Sequence, residues 1–238
     1  MSSGKTKEII PIEYVTVVIP TMLLGPKDIF GYTLEQLEQC RIVRNIIIID
    51  NTEEKYFDKE FNITSKVKHL KFPGNQGATY NPGMELCDTE YYLLLNDDVA
   101  CRSSILYNCF KIMELYKDVG LVQANTKIME PLEEYIKSAP SGDGVEIFFP
   151  DNPRMCMTGW FQFGRKEDWE PIPKELRYFY GDDLLLFHMA RKGRKVARII
   201  SDYVSHMESS TVRQIVPVPT ALRDEGVIFN QIVKDLIG

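Results

Sequence analysis

Tyr91-Tyr92-Leu93-Leu94-Leu95-Asn96-Asp97-Asp98-Val99 is the stretch that decides the fold: five consecutive tyrosine or leucine residues stop at two adjacent carboxylates. An apolar run of that length, without alternation, fits a strand buried on both faces in the middle of a parallel sheet. Ligands of open α/β sheets bind at the C-terminal ends of such strands, which puts Asn96, Asp97 and Asp98 where a ligand would arrive. Neighbouring carboxylates repel, and a hard divalent cation carrying phosphates would relieve them. The plainer alternative is a polar turn after a strand, since Asn and Asp are common turn residues.

The segments on either side repeat the pattern. Tyr14 to Ile19 is rich in β-branched residues and closes at Pro20-Thr21, which predicts a first buried strand. Thr33 is placed to cap a helix over Leu34 to Arg44, followed by a strand from Asn45 to Ile49 that ends at Asp50. A third strand around Val67 to Phe72 leads through the turn-rich Pro73-Gly74-Asn75-Gln76-Gly77 into a helix from Ala78 to Leu86. Beyond the acidic pair, a helix from Ser103 to Lys117 and a strand from Gly120 to Ala124 are expected. Lys127 to Pro153 reads as an irregular excursion with an edge hairpin near Val145 to Phe149. A helix from Leu184 to Arg191, a strand from Val196 to Ile200 and a docked C-terminal helix over about 222–237 complete the chain. Alternating strands and helices predict an α/β fold with a central, mostly parallel sheet flanked by helices.

The 238 residues, 44% of them hydrophobic, suit one α/β domain. Cys40, Cys87, Cys101, Cys109 and Cys156 are odd in number and widely spread, and the chain has only three histidines. That spacing argues against a disulfide framework or a structural zinc site and for free thiols in a reducing, cytoplasmic setting. No apolar run approaches the roughly 18 residues of a membrane span. A net charge of −6 argues against nonspecific nucleic-acid binding by overall attraction, although Arg191-Lys192-Gly193-Arg194-Lys195-Val196-Ala197-Arg198 is locally basic.

Three acidic sites fall at strand or loop ends: Asp50, Asp97-Asp98, and Asp182-Asp183 after Tyr178-Phe179-Tyr180-Gly181. With Val17-Val18-Ile19-Pro20-Thr21, Ile47-Ile48-Ile49-Asp50-Asn51-Thr52, Asn75-Gln76-Gly77, Asn81-Pro82-Gly83, Lys192-Gly193 and His206-Met207-Glu208-Ser209-Ser210-Thr211, their order over residues 14 to 211 resembles the family 2 inverting glycosyltransferases of GT-A fold. The compact chain is similar to phage-encoded members. The resemblance implies one GT-A domain, with a nucleotide-sugar-binding half over about 14–100 and an acceptor and catalytic half over about 101–211. It implies transfer of a sugar from a nucleoside-diphosphate sugar, a UDP-sugar by preference, to an acceptor hydroxyl.

Residue by residue, the resemblance makes Asp98 and His206 ligands of a divalent metal, Mn²⁺ or Mg²⁺. Such an ion gathers the charge of the departing diphosphate. Asp183 matches the general base that takes the acceptor's proton, and Asp182 its acidic neighbour, with roles that the two carboxylates can exchange or share. Pro20, Thr21, Asp50, Asn75, Gly77, Asn96 and Asp97 are expected around the nucleotide sugar. Asn96 replaces the first acid of the family's D-x-D motif, and Asn81 falls two residues sooner than usual after Gly77, which leaves a helix-surface role open for it. For Asp182 and Asp183 the alternative is capping of a helix N-terminus, and for His206 it is a loop after a strand.

Trp160, in Gly159-Trp160-Phe161, is placed to stack on an acceptor ring or to fill core. The expected acceptor is soluble, because the chain carries no membrane segment or basic amphipathic terminus. DNA with a modified base, a protein side chain and a soluble sugar are such acceptors, and for DNA Arg194 and Lys195 would meet phosphates; the alternative is that the basic run complements a helix C-terminus closed by Gly193. Two other functions stay open. A nucleotidyltransferase would want a glycine-rich basic loop after the first strand, where Met22-Leu23-Leu24-Gly25-Pro26-Lys27 offers one Gly and one Lys; a catalytically dead sugar-nucleotide-binding module would need none of the carboxylates.

Overall fold

The computed structural model describes residues 14–23, 25–52, 61, 64–72, 80–139, 144–150, 159–176, 179–207 and 218–237. The chain is an α/β fold whose central sheet is flanked by helices. Its strands are β1 (Val15–Thr21), β2 (Val43–Asp50), β3 (Val67–Lys71), β4 (Tyr91–Leu95), β5 (Val99–Ala100), β6 (Val119–Ile128), β7 (Val145–Phe148), β8 (Phe161–Arg165) and β9 (Lys195–His206). The helices are α1 (Lys27–Gln39), α2 (Tyr80–Glu85), α3 (Ser103–Leu115), α4 (Leu132–Lys137), α5 (Gly181–Arg191) and α6 (Val218–Ile237).

The sheet runs β3-β2-β1-β4-β8-β6-β9-β5, with β7 paired to β9. From β3 to β4 all pairings are parallel; β8 then enters antiparallel between β4 and β6, and β6 and β9 are parallel again. Successive strand residues point to opposite faces, so β1 and β2 feed two cores. Val15, Val17, Ile19, Ile46 and Ile48 pack with α1 and α3, while Val18, Ile47 and Ile49 pack with α2, α5 and α6. This double burial is why these strands read as continuous apolar runs.

The register carries the acidic residues to one edge. Val18 pairs with Leu94 in β4 and Thr21 pairs with Asp50 in β2, so the C-terminal ends of three strands align. On the other side of the sheet, β9 pauses: its register against β6 jumps from Ala124↔Ile199 to Asn125↔Tyr203. Such a bulge bends a strand, and here it is pinned by buried Asp202, which Arg102 Nη1 meets at 2.9 Å. The last residues of β9 then pair antiparallel with β5, Val99 opposite His206.

Several elements differ from expectation. Helix α1 starts at Lys27, behind Pro26 and with Asp28 in its first turn, so Thr33 lies inside it. The Thr33 hydroxyl instead donates to Val99 O at 2.7 Å and accepts from Cys101 N at 3.1 Å, tying α1 to β5. Strand β7 pairs with β9 and not in a local hairpin. Strand β9 extends to His206, which therefore ends a strand and does not occupy a loop. Helix α5 begins at Gly181, so Asp182 and Asp183 lie in its first turn. Among the described residues Cys40, Cys87, Cys101 and Cys109 are free and buried, and no helix is long and apolar enough to cross a membrane.

Candidate active site

Because Val18 and Leu94 are paired, Thr21 and Asp97 lie level three residues further on. The Thr21 hydroxyl donates to Asp97 Oδ2 at 2.6 Å. Burial pushes the Asp97 carboxyl up to about 7, helped by the neighbouring Asp98 charge and opposed by the Thr21 hydroxyl and the Met22 amide. Asp98 itself faces the end of β9: His206 Nε2 lies 3.3 Å from Asp98 Oδ1, both side chains nearly buried. The β5–β9 pairing thus brings together the two side chains expected to ligate a metal. Trp160 covers the His206 ring, with centroids 4.6 Å apart and planes within 21°, and its indole N–H donates to Thr126 Oγ1 at 2.7 Å.

Next to this pair is a cavity of about 130 Å³ lined by Tyr80, Asn96, Gly159, Trp160, Gly181 and Asp182, among others. Asn96 Oδ1 accepts from the Tyr80 hydroxyl at 2.9 Å. The Asp182 carboxylate rests on the backbone of Gly159: a Cβ there would lie 1.3 Å from Asp182 Oδ2. Burial raises the Asp182 carboxyl above the ordinary range, against the pull of the Asp182 and Asp183 amides at the helix N-terminus. Asp183 is 5% exposed and does not line this cavity.

The remaining expected residues divide. Asp50 is fully buried and already bonded: Thr52 N donates to Oδ1 at 2.8 Å, while His69 Nε2 and Lys71 Nζ lie 2.8 and 3.3 Å from Oδ2. Its carboxyl is pushed up by burial, but the bonds from Thr52, His69 and Lys71 outweigh this and hold it below the ordinary range. A ligand arriving here would meet His69 or Lys71, whose side chains are 18% and 28% exposed, before the carboxylate. Pro20 sits at the end of β1 beside Thr21. Asn75 and Gly77 lie outside the described residues.

Arg194 and Lys195 lie apart from these groups. Arg194 precedes β9 and Lys195 opens it, while His206 closes it; even shortened by its bulge, the strand at ~3.3 Å per residue separates its ends by roughly 25 Å. Nor is their charge open. Arg194 bonds Asp168 at 3.1 Å, Glu167 at 2.9 Å and Lys117 O at 3.1 Å, and Lys195 pairs with Asp118 at 2.7 Å. Arg191 and Lys192 both meet Glu170. Arg191, Lys192, Arg194 and Lys195 are thus paired with acidic residues that sequence spacing did not connect to them.

Sequence reasoning also missed contributors. Half-buried Asn81, whose role the sequence left open, donates through Nδ2 to Ile172 O at 2.8 Å and accepts through Oδ1 from Ile172 N at 2.9 Å, bracing the cavity wall. Tyr80, whose hydroxyl burial pushes well up, and Thr126, which holds Trp160, gave no signal beyond their place in ordinary helix and strand patterns.

No family model matches the sequence, and no curated protein matches it. Solved structures do match in shape. Crystal structures of S. aureus TarS residues 1–349 superimpose with TM-scores of 0.57 without a named ligand, 0.60 in complex with UDP and 0.60 in complex with UDP-GlcNAc, at 14%, 13% and 12% identity. The fold is a GT-A fold. The match covers 82% of this chain in each case and 60%, 61% and 58% of the TarS chains, so this chain spans about three fifths of their length. At such identity the likeness speaks for the architecture, and the chemistry has to be argued from the residues at the strand ends.

Proposed function

We propose that the chain is a metal-dependent, inverting glycosyltransferase that moves a sugar from a UDP-type nucleotide sugar to an acceptor hydroxyl, with Asp182 as general base. The observation that carries this reading is the grouping of two kinds of side chain around Trp160, which lines the cavity and stacks on His206. One is the Asp98–His206 pair at 3.3 Å, the other a separate buried carboxylate, Asp182, on the cavity wall. The TarS complexes with UDP and UDP-GlcNAc support a uridine donor for a chain of the same fold.

Among the described residues no three such ligands gather, and Asp98 and His206 would supply a divalent ion with two, an oxygen and an imidazole nitrogen that face each other, with the His206 ring stacked on Trp160. Bound there, the ion would supply charge neutralisation for the departing diphosphate. The protein's own groups do the rest. Asn96 and Tyr80 line the space for the transferred sugar, and Trp160 closes it beside His206. Asp182 accepts the proton of the attacking hydroxyl; burial raises its proton affinity, which makes it a stronger base than an exposed aspartate once it is ionised. Assigning the base to Asp182 moves it one residue from Asp183, because the cavity is lined by the former. Asp97, bonded to Thr21, ties the end of β4 to β1.

The acceptor is a hydroxyl compound that does not depend on the Arg191 to Arg198 run. The test is turnover of UDP-glucose, UDP-galactose and UDP-N-acetylglucosamine with Mn²⁺ or Mg²⁺, reading released UDP and free or transferred sugar. Metal-dependent UDP release supports the proposal; pyrophosphate formation from a nucleoside triphosphate and a sugar phosphate would favour a nucleotidyltransferase, and absence of any turnover a binding module.

A further inference from the structure

The carboxylate assigned as base stands at the start of α5, and α5 starts from a backbone conformation that its residue disfavours. Tyr180 has φ 64° and ψ −8°, in the left-handed region, and makes no side-chain capping bond. A non-glycine residue stays there only when its surroundings hold it. What holds it is α6. The Tyr180 ring stacks on Phe229 with centroids 4.9 Å apart and planes within 17°, and its hydroxyl donates to Leu222 O at 3.3 Å. Glu225, only 6% exposed, accepts the Phe179 N–H at 2.9 Å. Gly226 lets the turn come close: a Cβ there would lie 3.2 Å from the Tyr180 hydroxyl. Leu222, Glu225, Gly226 and Phe229 follow one another at i, i+3, i+4 and i+7, one face of a helix.

The turn passes this constraint directly to the site. Leu184 N bonds Tyr180 O at 3.0 Å, the first turn of α5, and Asp182 lies within that turn. Its carbonyl accepts from Gln162 Nε2 at 3.2 Å, and its carboxylate has no room to shift toward Gly159. We infer that α6 is a clamp that sets the position of Asp182, with Glu225 and Tyr180 as positioning residues for the transfer reaction. This rests on Asp182 acting as the base. The buried Glu225 carboxylate joins α6 to the backbone of the turn through the Phe179 N–H, a bond that an apolar residue at the same place could not make.

The test uses the full chain with Glu225→Ala, Glu225→Gln and the exposed control Val227→Ala. Amide hydrogen exchange over 179–184 is read together with kcat and UDP affinity. Glu225→Ala should raise exchange over 179–184 at least tenfold and lower kcat at least tenfold, while UDP affinity stays within threefold. Glu225→Gln, whose side-chain oxygen still accepts the Phe179 N–H, should recover most of both, and Val227→Ala should change neither. Wild-type exchange and kcat in a folded Glu225→Ala, or turnover and UDP affinity lost in equal proportion, would overturn the clamp.

Should Glu225→Ala fail to fold, Tyr180→Gly decides. Glycine relieves the left-handed strain, so tolerance would mean that the turn needs only its conformation and would overturn the clamp, whereas a tenfold loss of kcat with UDP bound normally supports it. A wild-type protein that releases no UDP from any nucleotide sugar, in which Glu225→Ala still loosens 179–184, would overturn the transferase reading and leave the contact between α6 and the turn in place.

Discussion

Gly159→Ala is the sharpest small perturbation available, because a single methyl group would have to occupy the place of a carboxylate. The added Cβ would lie 1.3 Å from Asp182 Oδ2 and 2.3 Å from its Cγ. To restore an ordinary contact of roughly 3.4 Å, the carboxylate or the Gly159–Trp160 backbone has to retreat by about 2 Å. Misplacing a reacting group by ~1 Å costs about 10² in rate, and kcat should therefore fall by at least about 10². Overpacking typically costs ~1–3 kcal/mol, offset in part by ~0.4–1 kcal/mol from the stiffer unfolded chain, so the variant should remain folded with a modestly lower Tm. The assay is steady-state transfer from a UDP-sugar beside UDP affinity measured by calorimetry, which should stay within a few-fold of wild type. A folded Gly159→Ala enzyme with wild-type kcat would refute the placement of the base at Asp182.

Removing metal ligands should separate binding from folding: Asp98→Ala should abolish metal-dependent UDP binding and His206→Ala should weaken it, with undiminished binding and turnover in EDTA as the contrary result. Arg194→Ala strips the partner from Asp168, which is 4% exposed, and should cost about 2 kcal/mol of unfolding free energy without changing transfer; Lys195→Ala, which loses only a half-exposed pair with Asp118, should change neither measurably. Asp50 is held below its ordinary range in the folded state, so its stabilisation is present above the unfolded value of about 4 and is lost as pH falls through the lower folded value. Asp50→Asn should accordingly unfold more easily than wild type at pH 7, with the gap narrowing below about pH 4 in denaturant titrations.

The parts of the fold written locally were legible, and those that depend on distant partners were not. The five apolar residues of β4 need burial on both faces, and the switch to Asn96-Asp97-Asp98 can only follow a strand end, so strand and edge were both readable. Strand β9 was cut short in the sequence because Ser201 and Asp202 interrupt its apolar pattern; they do so as a bulge bonded to Arg102, a partner about a hundred residues away. The start of α1 was missed because the capping habit of Thr33 outweighed Pro26 and Asp28, whereas in the fold that hydroxyl serves β5. At the site, the pairing of Asp98 with His206 followed from motif order. Which of Asp182 and Asp183 lines the cavity depends on rotation within the first turn of α5, and adjacent residues on a helix differ by about 100°. Lys192, Arg194 and Lys195 looked open because their partners Glu170, Glu167, Asp168 and Asp118 lie tens of residues upstream.

The most direct test of the central claim compares Asp182→Asn with Asp183→Asn in transfer from a UDP-sugar, with UDP and metal affinity measured on the same preparations. Asparagine keeps the size and much of the hydrogen bonding but cannot take a proton. Asp182→Asn should bind UDP and metal as wild type does and lose on the order of 10² or more in kcat, while Asp183→Asn loses less. Near wild-type kcat in Asp182→Asn would contradict the account: with Asp183→Asn inactive but still binding donor, the base would be Asp183, and with both variants active no carboxylate of this turn would take the proton.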